Sequence, residues 1–241
     1  MDDKAPTTQA PFQSANKWQH LQSFFRDVLL EKLPAPPEPE LELWLRNGRM
    51  MLVSPGAIYS REERYGSFLG AFEQEGDSLS KIDNLLVLGF GLGSIPIILE
   101  RTHRSKPYVT GVDLDERIID MAHRRCPRSL MDRTELICAD ALQWIPEQQE
   151  SRGASFDMIC VDLFIDTEVP RGCSDPDWLQ CVAELLSPGG RLLVSRMRNE
   201  NKGIRRTGRN RFRVSFQKLF PDGDRIQVAG NDIYRWTKPD Q

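Results

Sequence analysis

Three glycines with alternating spacing follow a short apolar run of the sequence. Residues 85–88 form a continuous apolar run, which is typical of a strand buried on both faces. Gly89, Gly91 and Gly93 come directly after it. Glycine permits a tight turn and a close approach of the backbone to a ligand, and the first N–H groups of the next helix can bind a polar or anionic group. The spacing predicts a ligand-binding turn, with a plain strand-to-helix turn as the structural alternative.

Acidic residues follow the next two predicted strands. Asp113 lies about 20 residues past the glycine turn, where an acid commonly accepts hydrogen bonds from ribose hydroxyls. Asp140 can accept from an adenine amino group, and the small Ala141 leaves room for the ring. Each acid could instead cap the next helix, a role that suits Asp115 better. Because Ser94 follows the glycines, the dinucleotide pattern is incomplete, which favours an S-adenosyl compound over NAD and disfavours a nicotinamide oxidoreductase.

A third acid, Asp162, ends the apolar predicted strand at residues 156–161. We expect it to face the same cleft, although loop amides could satisfy it in a purely structural role. Transfer from a sulfonium to an amine needs a neutral nucleophile, whereas a free alkyl amine has a pKa of about 10.4. A carboxylate here could hold the ammonium and accept its proton. Asp162 is therefore the predicted catalytic residue.

Strands and helices alternate from residue 83 onward, which predicts an α/β fold with a mostly parallel, doubly wound sheet. The predicted strands cover residues 85–88, 108–112, 135–138, 156–161, 191–195, 225–228 and 233–236. The predicted helices cover residues 94–104, 115–124, 177–186 and 212–219, with another that starts at Ala141.

The amino-terminal part has a different pattern. Apolar residues recur at helical spacing from Trp18 to Leu29 and predict an amphipathic helix that ends near Leu33. A stiff proline-rich linker follows, and then Asn47-Gly48 between two apolar runs predicts a β-hairpin. We therefore divide the chain into a tail, helix and linker (residues 1–40), a small β-hairpin with its extension (residues 41–80) and a nucleoside-binding α/β domain (residues 81–241).

Composition narrows the function classes. The net charge is −3, and no apolar run approaches the ~20 residues that a membrane span needs. The five cysteines form no CxxC pair and no signal peptide is apparent, so we expect reduced thiols in a cytoplasmic protein. The three histidines are scattered, which predicts no metal site. We expect a small-molecule substrate and no membrane partner, and the composition disfavours a nucleic-acid partner. The amino-terminal helix and hairpin are a candidate homodimer surface.

These motifs together resemble the spermidine synthase-like family, the polyamine aminopropyltransferase-like group of the class I S-adenosylmethionine-dependent methyltransferase fold. The resemblance runs from about Leu41 to Trp236. It rests on the hairpin extension at residues 51–65, in which an acidic pair precedes a tyrosine, on residues 111–115, on Asp140-Ala141, and on the closing strands at residues 220–232. It implies a Rossmann-like, doubly wound seven-stranded methyltransferase sheet with an antiparallel last strand, preceded by a small helix and hairpin.

The resemblance also implies site roles and a cofactor. Leu114 would join the ribose-binding strand end, and Tyr65 and Asp166 would contact substrate. The bound group would be S-adenosylmethionine or its decarboxylated form, and the activity would be a transferase of polyamine biosynthesis. The sequence departs from the family at Leu92, where polyamine synthases carry an aspartate in the glycine turn, and at Tyr59, where they carry a glutamine.

Basic residues crowd the segment after the fifth strand of the main domain. They favour an anionic acceptor such as RNA for a methyltransferase, whereas a solvated loop is the structural alternative. No aromatic residue lies among them before Phe212, which disfavours stacking on single-stranded nucleic acid. A non-catalytic nucleoside-binding protein is a further alternative. The basic residues are Arg196, Arg198, Lys202, Arg205, Arg206, Arg209, Arg211 and Arg213.

Overall fold

The computed structural model describes residues 15–36, 39–150, 155–198 and 203–240. Two β-sheets lie within this part of the chain. The first is antiparallel, with four strands in the order β1-β2-β3-β4. Its strands are β1 (Val28–Leu33), β2 (Leu41–Arg46), β3 (Arg49–Val53) and β4 (Ile58–Ser60), and the short helix α1 (Lys17–Gln22) precedes them.

The prediction of one helix reaching Leu33 is wrong. The helix α1 is capped by Asn16 and ends at Gln22, and residues 28–33 instead pair with β2 as an antiparallel strand. Leucines spaced by one, three and four residues suit either a helix or a strand. Pairing with β2 decides in favour of the strand, with Val28 opposite Leu45 and Leu33 opposite Leu41. The side chain of Phe25 between the two elements is 85% exposed.

The predicted hairpin is confirmed. Strands β2 and β3 pair from Glu42 opposite Val53 to Arg46 opposite Arg49. The turn residues Asn47 and Gly48 have φ values of 49° and 73°, the left-handed backbone that two-residue hairpin turns require.

The second sheet has seven strands in the order β10-β11-β9-β8-β5-β6-β7. Strands β5 to β9 run parallel, and β11 is antiparallel to both of its neighbours, β9 and β10. This confirms the predicted seven-stranded sheet with an antiparallel last strand. The strands are β5 (Asn84–Leu88), β6 (Tyr108–Asp113), β7 (Thr134–Cys138), β8 (Phe156–Val161), β9 (Leu186–Met197), β10 (Asp224–Val228) and β11 (Asn231–Thr237).

Helices cover both faces of this sheet, as a doubly wound fold requires. Alternate residues of β5 belong to different apolar layers, with Leu85 and Val87 in one and Leu86 and Leu88 in the other. None of the helices in the described ranges has the length and apolarity needed to cross a bilayer. The helices are α2 (Gly66–Phe72), α3 (Ser94–His103), α4 (Glu116–Arg125), α5 (Arg128–Met131), α6 (Ala141–Glu150), α7 (Pro176–Glu184) and α8 (Gly203–Leu219).

Three details differ from the sequence-based expectations. Strand β9 starts at Leu186 because the predicted turn at Pro188-Gly189-Gly190 is an irregularity inside the strand, where the pairing with β8 shifts register. Helix α8 starts at Gly203, nine residues before the predicted start at residue 212. The short helix α5 was not predicted. The division of the chain into three parts stays a prediction, but β1 joins its first part to the hairpin.

An ion-pair cluster joins the small sheet to the main domain. The carboxylate of Glu31 on β1 accepts hydrogen bonds from Arg124 and Arg125 of α4, at 2.8 Å each. These contacts lower the pKa of Glu31, first through the hydrogen bond from Arg124. Arg125 is buried, so the loss of this partner would cost more free energy than the loss of a partner at the surface.

We predict that Glu31→Gln lowers the free energy of unfolding by about 1–2 kcal/mol, because a partly buried, charge-assisted interaction is lost. The control is Glu40→Gln, which removes an exposed ion pair with Lys32 and should leave stability unchanged within error. Urea unfolding of both variants checks this. Equal effects of the two substitutions would contradict a stabilising contact between Glu31 and the arginines of α4.

Candidate functional site

The glycine turn packs directly against the end of the neighbouring strand β8. Gly89 has φ of +84°, and its N–H donates to the carbonyl of Val112 at 2.9 Å. A Cβ built on Gly89 would overlap the carbonyl oxygen of Asp162, whose own N–H donates to Leu88 at 2.8 Å. Glycine is therefore required here both for its backbone angle and for the close approach of two strand ends.

The other two glycines have different surroundings. Gly91 has φ of +57°, and its N–H donates to Oδ2 of Asp113 at 2.9 Å. Gly93 has φ of +68°, and a Cβ there would lie 2.9 Å from a methyl carbon of Leu130. Gly91 thus faces the predicted site, whereas Gly93 allows the start of α3 to pack against α5.

Asp113 ends β6 with both carboxylate oxygens directed at backbone amides. Oδ2 accepts from Gly91, and Oδ1 accepts from Asp115 N–H at 3.2 Å. Burial raises the pKa of Asp113 to about 6, and the hydrogen bonds from Gly91 and Asp115 oppose this rise. Asp115 accepts from the N–H of Arg117 at 2.9 Å and caps α4, as its sequence position predicts.

The position of Asp140 is compatible with both roles considered from the sequence, the helix cap and the adenine acceptor. Its Oδ1 accepts from the N–H of Leu142 at 2.9 Å and caps α6. Its side chain also lines the cleft described next, beside the buried Ala141. A carboxylate has more than one lone-pair site, so a helix cap does not prevent it from binding a ligand.

A single cleft collects most of the predicted site residues. We call it the main cleft, and it encloses about 690 Å³ including its open mouth. Of the predicted residues, Gly93 and Asp166 are not among its lining. Those that line it are Tyr65, Gly89, Gly91, Asp113, Leu114, Asp140, Ala141 and Asp162, together with residues 57–59, Val112, Ala139, Leu142, residues 163–165, Pro170 and Cys173.

Asp162 lies at the inner wall of the main cleft and is 7% exposed. Burial raises its pKa to about 6, while hydrogen bonds from the hydroxyls of Tyr65 and Ser195 oppose this rise. Its Oδ1 has no hydrogen-bond partner among the described residues. A buried carboxylate oxygen without a partner is costly, and a donor group of a water or a ligand can satisfy it.

The hydroxyls of Tyr65 and Ser195 both lie close enough to this carboxylate to lower its pKa. Burial, and then the charge of Asp162, raise the pKa of Tyr65 well above its ordinary value, so its hydroxyl stays protonated and donates. Ser195 is buried on β9 and accepts from Nδ2 of Asn231 at 2.7 Å. Ser195 and Asn231 are not predicted by the sequence pattern, because their position relative to Asp162 depends on the pairing of strands that are distant in sequence.

Asp166 fixes a loop of the hairpin extension. Its carboxylate accepts from Oγ of Ser54 at 2.6 Å and from the N–H of Gly56 at 2.9 Å, and its own N–H donates to the Tyr59 hydroxyl at 2.7 Å. These bonds tie residues 54–59 to the loop after β8. The substrate role of Asp166 stays a prediction, but its carboxylate already has partners in the protein.

Part of the basic segment is structural. Arg196 is buried, its guanidinium lies 3.8 Å from the ring centroid of Phe212, and it donates to the carbonyl of Cys173 at 2.5 Å. Burial lowers the pKa of Arg196 to about 10. Arg196 therefore supports the cleft wall at Cys173. Lys202 lies outside the described residues, and the side chains at 203–210 are not described, so the predicted anionic partner of this segment stays a prediction.

Comparisons with known proteins place these features in context. Residues 85–190 match the family model for a methyltransferase domain. A stretch of 115 residues, 47% of the chain, is 28% identical to a probable polyamine aminopropyl transferase of Bifidobacterium longum. The match covers 24% of that protein, so the chain spans about a quarter of this relative.

Solved structures share the architecture at low identity. Spermidine synthase from Thermotoga maritima aligns with a TM-score of 0.62 and 12% identity over 88% of this chain and 74% of that one. Human methyltransferase-like protein 13 in complex with SAH aligns with a TM-score of 0.54 and 20% identity over 66% of this chain and 73% of that one. The O-methyltransferase from Bacillus cereus in complex with SAH aligns with a TM-score of 0.53 and 21% identity over 71% of this chain and 81% of that one. The chain has the Rossmann-like methyltransferase fold.

The raised pKa of Asp162 has a consequence for stability. Between about pH 4 and pH 6 the folded protein keeps a proton that the unfolded chain has lost, so this group makes stability fall as pH rises through that window. Since one pKa unit corresponds to about 1.4 kcal/mol, ionised Asp162 costs the fold on the order of 3 kcal/mol above pH 6.

We predict that Asp162→Asn, which keeps the shape but cannot ionise, is more stable than the original protein at pH 8 and similar to it at pH 4. Thermal unfolding at both pH values checks this. Asp113 titrates in both proteins and cancels from the comparison. A stability difference that does not change with pH would contradict the buried, uncompensated state of Asp162.

Proposed function

We propose that this protein is a transferase that uses S-adenosylmethionine or its decarboxylated form and acts on a small acceptor. The observation that carries the proposal is the main cleft, where Asp113, Asp140 and Asp162, which follow β6, β7 and β8, line one space. The comparisons support S-adenosylmethionine-dependent transfer in general. Membership of the spermidine synthase-like family is part of the proposal.

The residues of the main cleft fit an S-adenosyl nucleoside. Asp113 can accept from ribose hydroxyls with lone pairs that Gly91 and Asp115 leave unused. Asp140 can accept from the adenine amino group, and the methyl side chain of Ala141 leaves space beside it. Leu114 is 50% exposed and lines the cleft, so it offers an apolar surface to the nucleoside.

Asp162 supplies the acid–base chemistry. When bound, an S-adenosyl sulfonium offers an electrophilic carbon and a thioether leaving group. With a pKa of about 6, Asp162 is mostly ionised at pH 7, and its unpartnered Oδ1 can accept the proton that the acceptor loses as its new bond to carbon forms. Tyr65 stays protonated and orients the carboxylate. Holding donor and acceptor together in the cleft contributes much of the remaining rate.

We propose that the transferred group is a methyl group. Leu92 is buried in the apolar core and does not line the main cleft, so no acid of the glycine turn reaches the space where an aminopropyl amine would need one. Aminopropyl transfer is the second candidate. It is favoured by the Asp162–Tyr65 pair and by the similarity of a 115-residue stretch to a probable polyamine aminopropyl transferase.

We predict that Asp113→Asn weakens binding of S-adenosylhomocysteine about tenfold to a hundredfold, because a charge-assisted acceptor for the ribose is lost. Asp115→Asn is the matched control, since asparagine also caps helices and Asp115 does not line the cleft. Calorimetric titration of both variants measures the affinities. Unchanged affinity for Asp113→Asn would remove it from the site.

We predict that Asp162→Asn lowers kcat at least a hundredfold while the affinity for S-adenosylhomocysteine stays the same. In the original protein kcat/KM should rise with pH through about 6, and the variant should lose that limb. The assay supplies methyl-labelled S-adenosylmethionine with an acceptor panel, and decarboxylated S-adenosylmethionine with putrescine. Tight binding without turnover of either donor would replace the transferase with a non-catalytic nucleoside-binding protein.

A further inference from the structure

A second cavity adjoins the main cleft. This arginine cavity encloses about 770 Å³ including its open mouth, a volume similar to that of the main cleft. It shares four lining residues with the main cleft, and Tyr65 is one of them. Its lining consists of residues 56–58, Arg61, residues 64–67, Phe164, Met197, Ala229 and Asn231.

The charge of this cavity is positive. Arg61 and Arg64 line it, and no acidic residue does so in the part of the chain that the structure describes. Neither guanidinium forms an ion pair or a hydrogen bond with another described residue. Two unpaired arginines beside one cavity favour an anionic ligand, because the guanidinium fork matches carboxylate and phosphate oxygens.

The two acids between these arginines are used elsewhere. Glu63 pairs with Arg49 and Arg101, and Glu62 pairs with Arg101 at 2.6 Å and accepts from the N–H of Met50 at 2.7 Å. The 3₁₀ turn at Glu62–Arg64 thus engages its glutamates with β3 and α3, while Arg61 and Arg64 line the cavity. The acidic pair cannot neutralise the arginines without losing these partners.

We propose that the arginine cavity binds the acceptor through a carboxylate or phosphate group on that acceptor. This proposal rests on the proposed function, since it names the class of molecule that receives the transferred group. An anionic group at Arg61 and Arg64 would leave the nucleophilic end of the acceptor near Tyr65, whose hydroxyl bonds Asp162. A polyamine would place positive charge against two guanidiniums, which costs binding free energy.

A second source of the same chemistry is the amino-acid carboxylate of S-adenosylmethionine itself. The acceptor is the better match, because the cavity extends beyond the main cleft to Met197, Ala229 and Asn231 at the β9 and β11 side of the sheet. The two sources differ in one testable respect, because 5′-methylthioadenosine lacks the carboxylate that S-adenosylhomocysteine carries.

The experiment titrates the full chain with defined probes by calorimetry. The protein is saturated with 5′-methylthioadenosine and then receives succinate, O-phosphoethanolamine or 1,4-diaminobutane in separate runs. The variants are Arg61→Gln and Arg64→Gln, and Arg128→Gln on α5 is the control, because it removes an equal charge outside both cavities. The 5′-methylthioadenosine affinity of each variant is measured first and reports whether the site is still folded.

We expect succinate or O-phosphoethanolamine to bind more tightly than 1,4-diaminobutane. Each of Arg61→Gln and Arg64→Gln should weaken that anion about tenfold or more, and Arg128→Gln should have no effect. Tighter binding of the diamine, absence of anion binding, or equal effects of all three substitutions overturns the proposal.

A loss of S-adenosylhomocysteine affinity in the arginine variants, with 5′-methylthioadenosine unaffected, also overturns it and assigns the arginines to the donor. Failure of both nucleosides to bind the original protein is the distinct failure of the proposed function. Anion titration of the protein without nucleoside then tests the arginine cavity by itself.

Discussion

The contact between Gly89 and the backbone of Asp162 determines the geometry of the whole site. Strand β5 lies between β6 and β8, and the Gly89 N–H and the Asp162 N–H each bond a carbonyl of a neighbouring strand. There is no space for a Cβ between the turn and Asp162. A turn that approaches β8 this closely brings the backbone of the glycine turn and the buried carboxylate of Asp162 to the same cleft. Asp113 then fixes the far side of the same turn through Gly91.

The burial of Asp162 lowers the stability of the fold when this carboxyl group is ionised. Ser195 and Tyr65 satisfy part of the carboxylate, and the remaining oxygen has no partner among the described residues. An apolar side chain at this position would avoid the cost of burying the charge. The network instead holds the group in one orientation with a pKa near neutral pH, which suits a proton acceptor better than a fully satisfied ion pair would. A buried carboxyl group with a shifted pKa is more typical of functional sites than of apolar cores.

The sequence predicted those parts of the site that depend on strand ends, because parallel strands deliver their carboxyl ends to one edge whatever their lengths. Asp113, Asp140 and Asp162 line one cleft for that reason. It did not predict β1, since the leucines near residues 28–33 suit a helix and a strand equally, and only pairing with β2 decides between them. The sequence also did not predict the hydrogen bonds of Asp166 or the Ser195–Asn231 bond, because each bond joins residues separated by more than thirty positions.

The two halves of the proposed site are built from different structural features. The proposed nucleoside recognition depends on backbone geometry and strand-end acids, which the fold itself positions. The proposed acceptor recognition depends on the hairpin extension, where a 3₁₀ turn determines which of four adjacent charged residues line a cavity. With Glu62 and Glu63 engaged by arginines of other elements, Arg61 and Arg64 give this wall a positive charge. Two arginines in one cavity and the buried carboxylate of Asp162 in the adjoining main cleft are together complementary to a small molecule with an anionic group and a basic nucleophile.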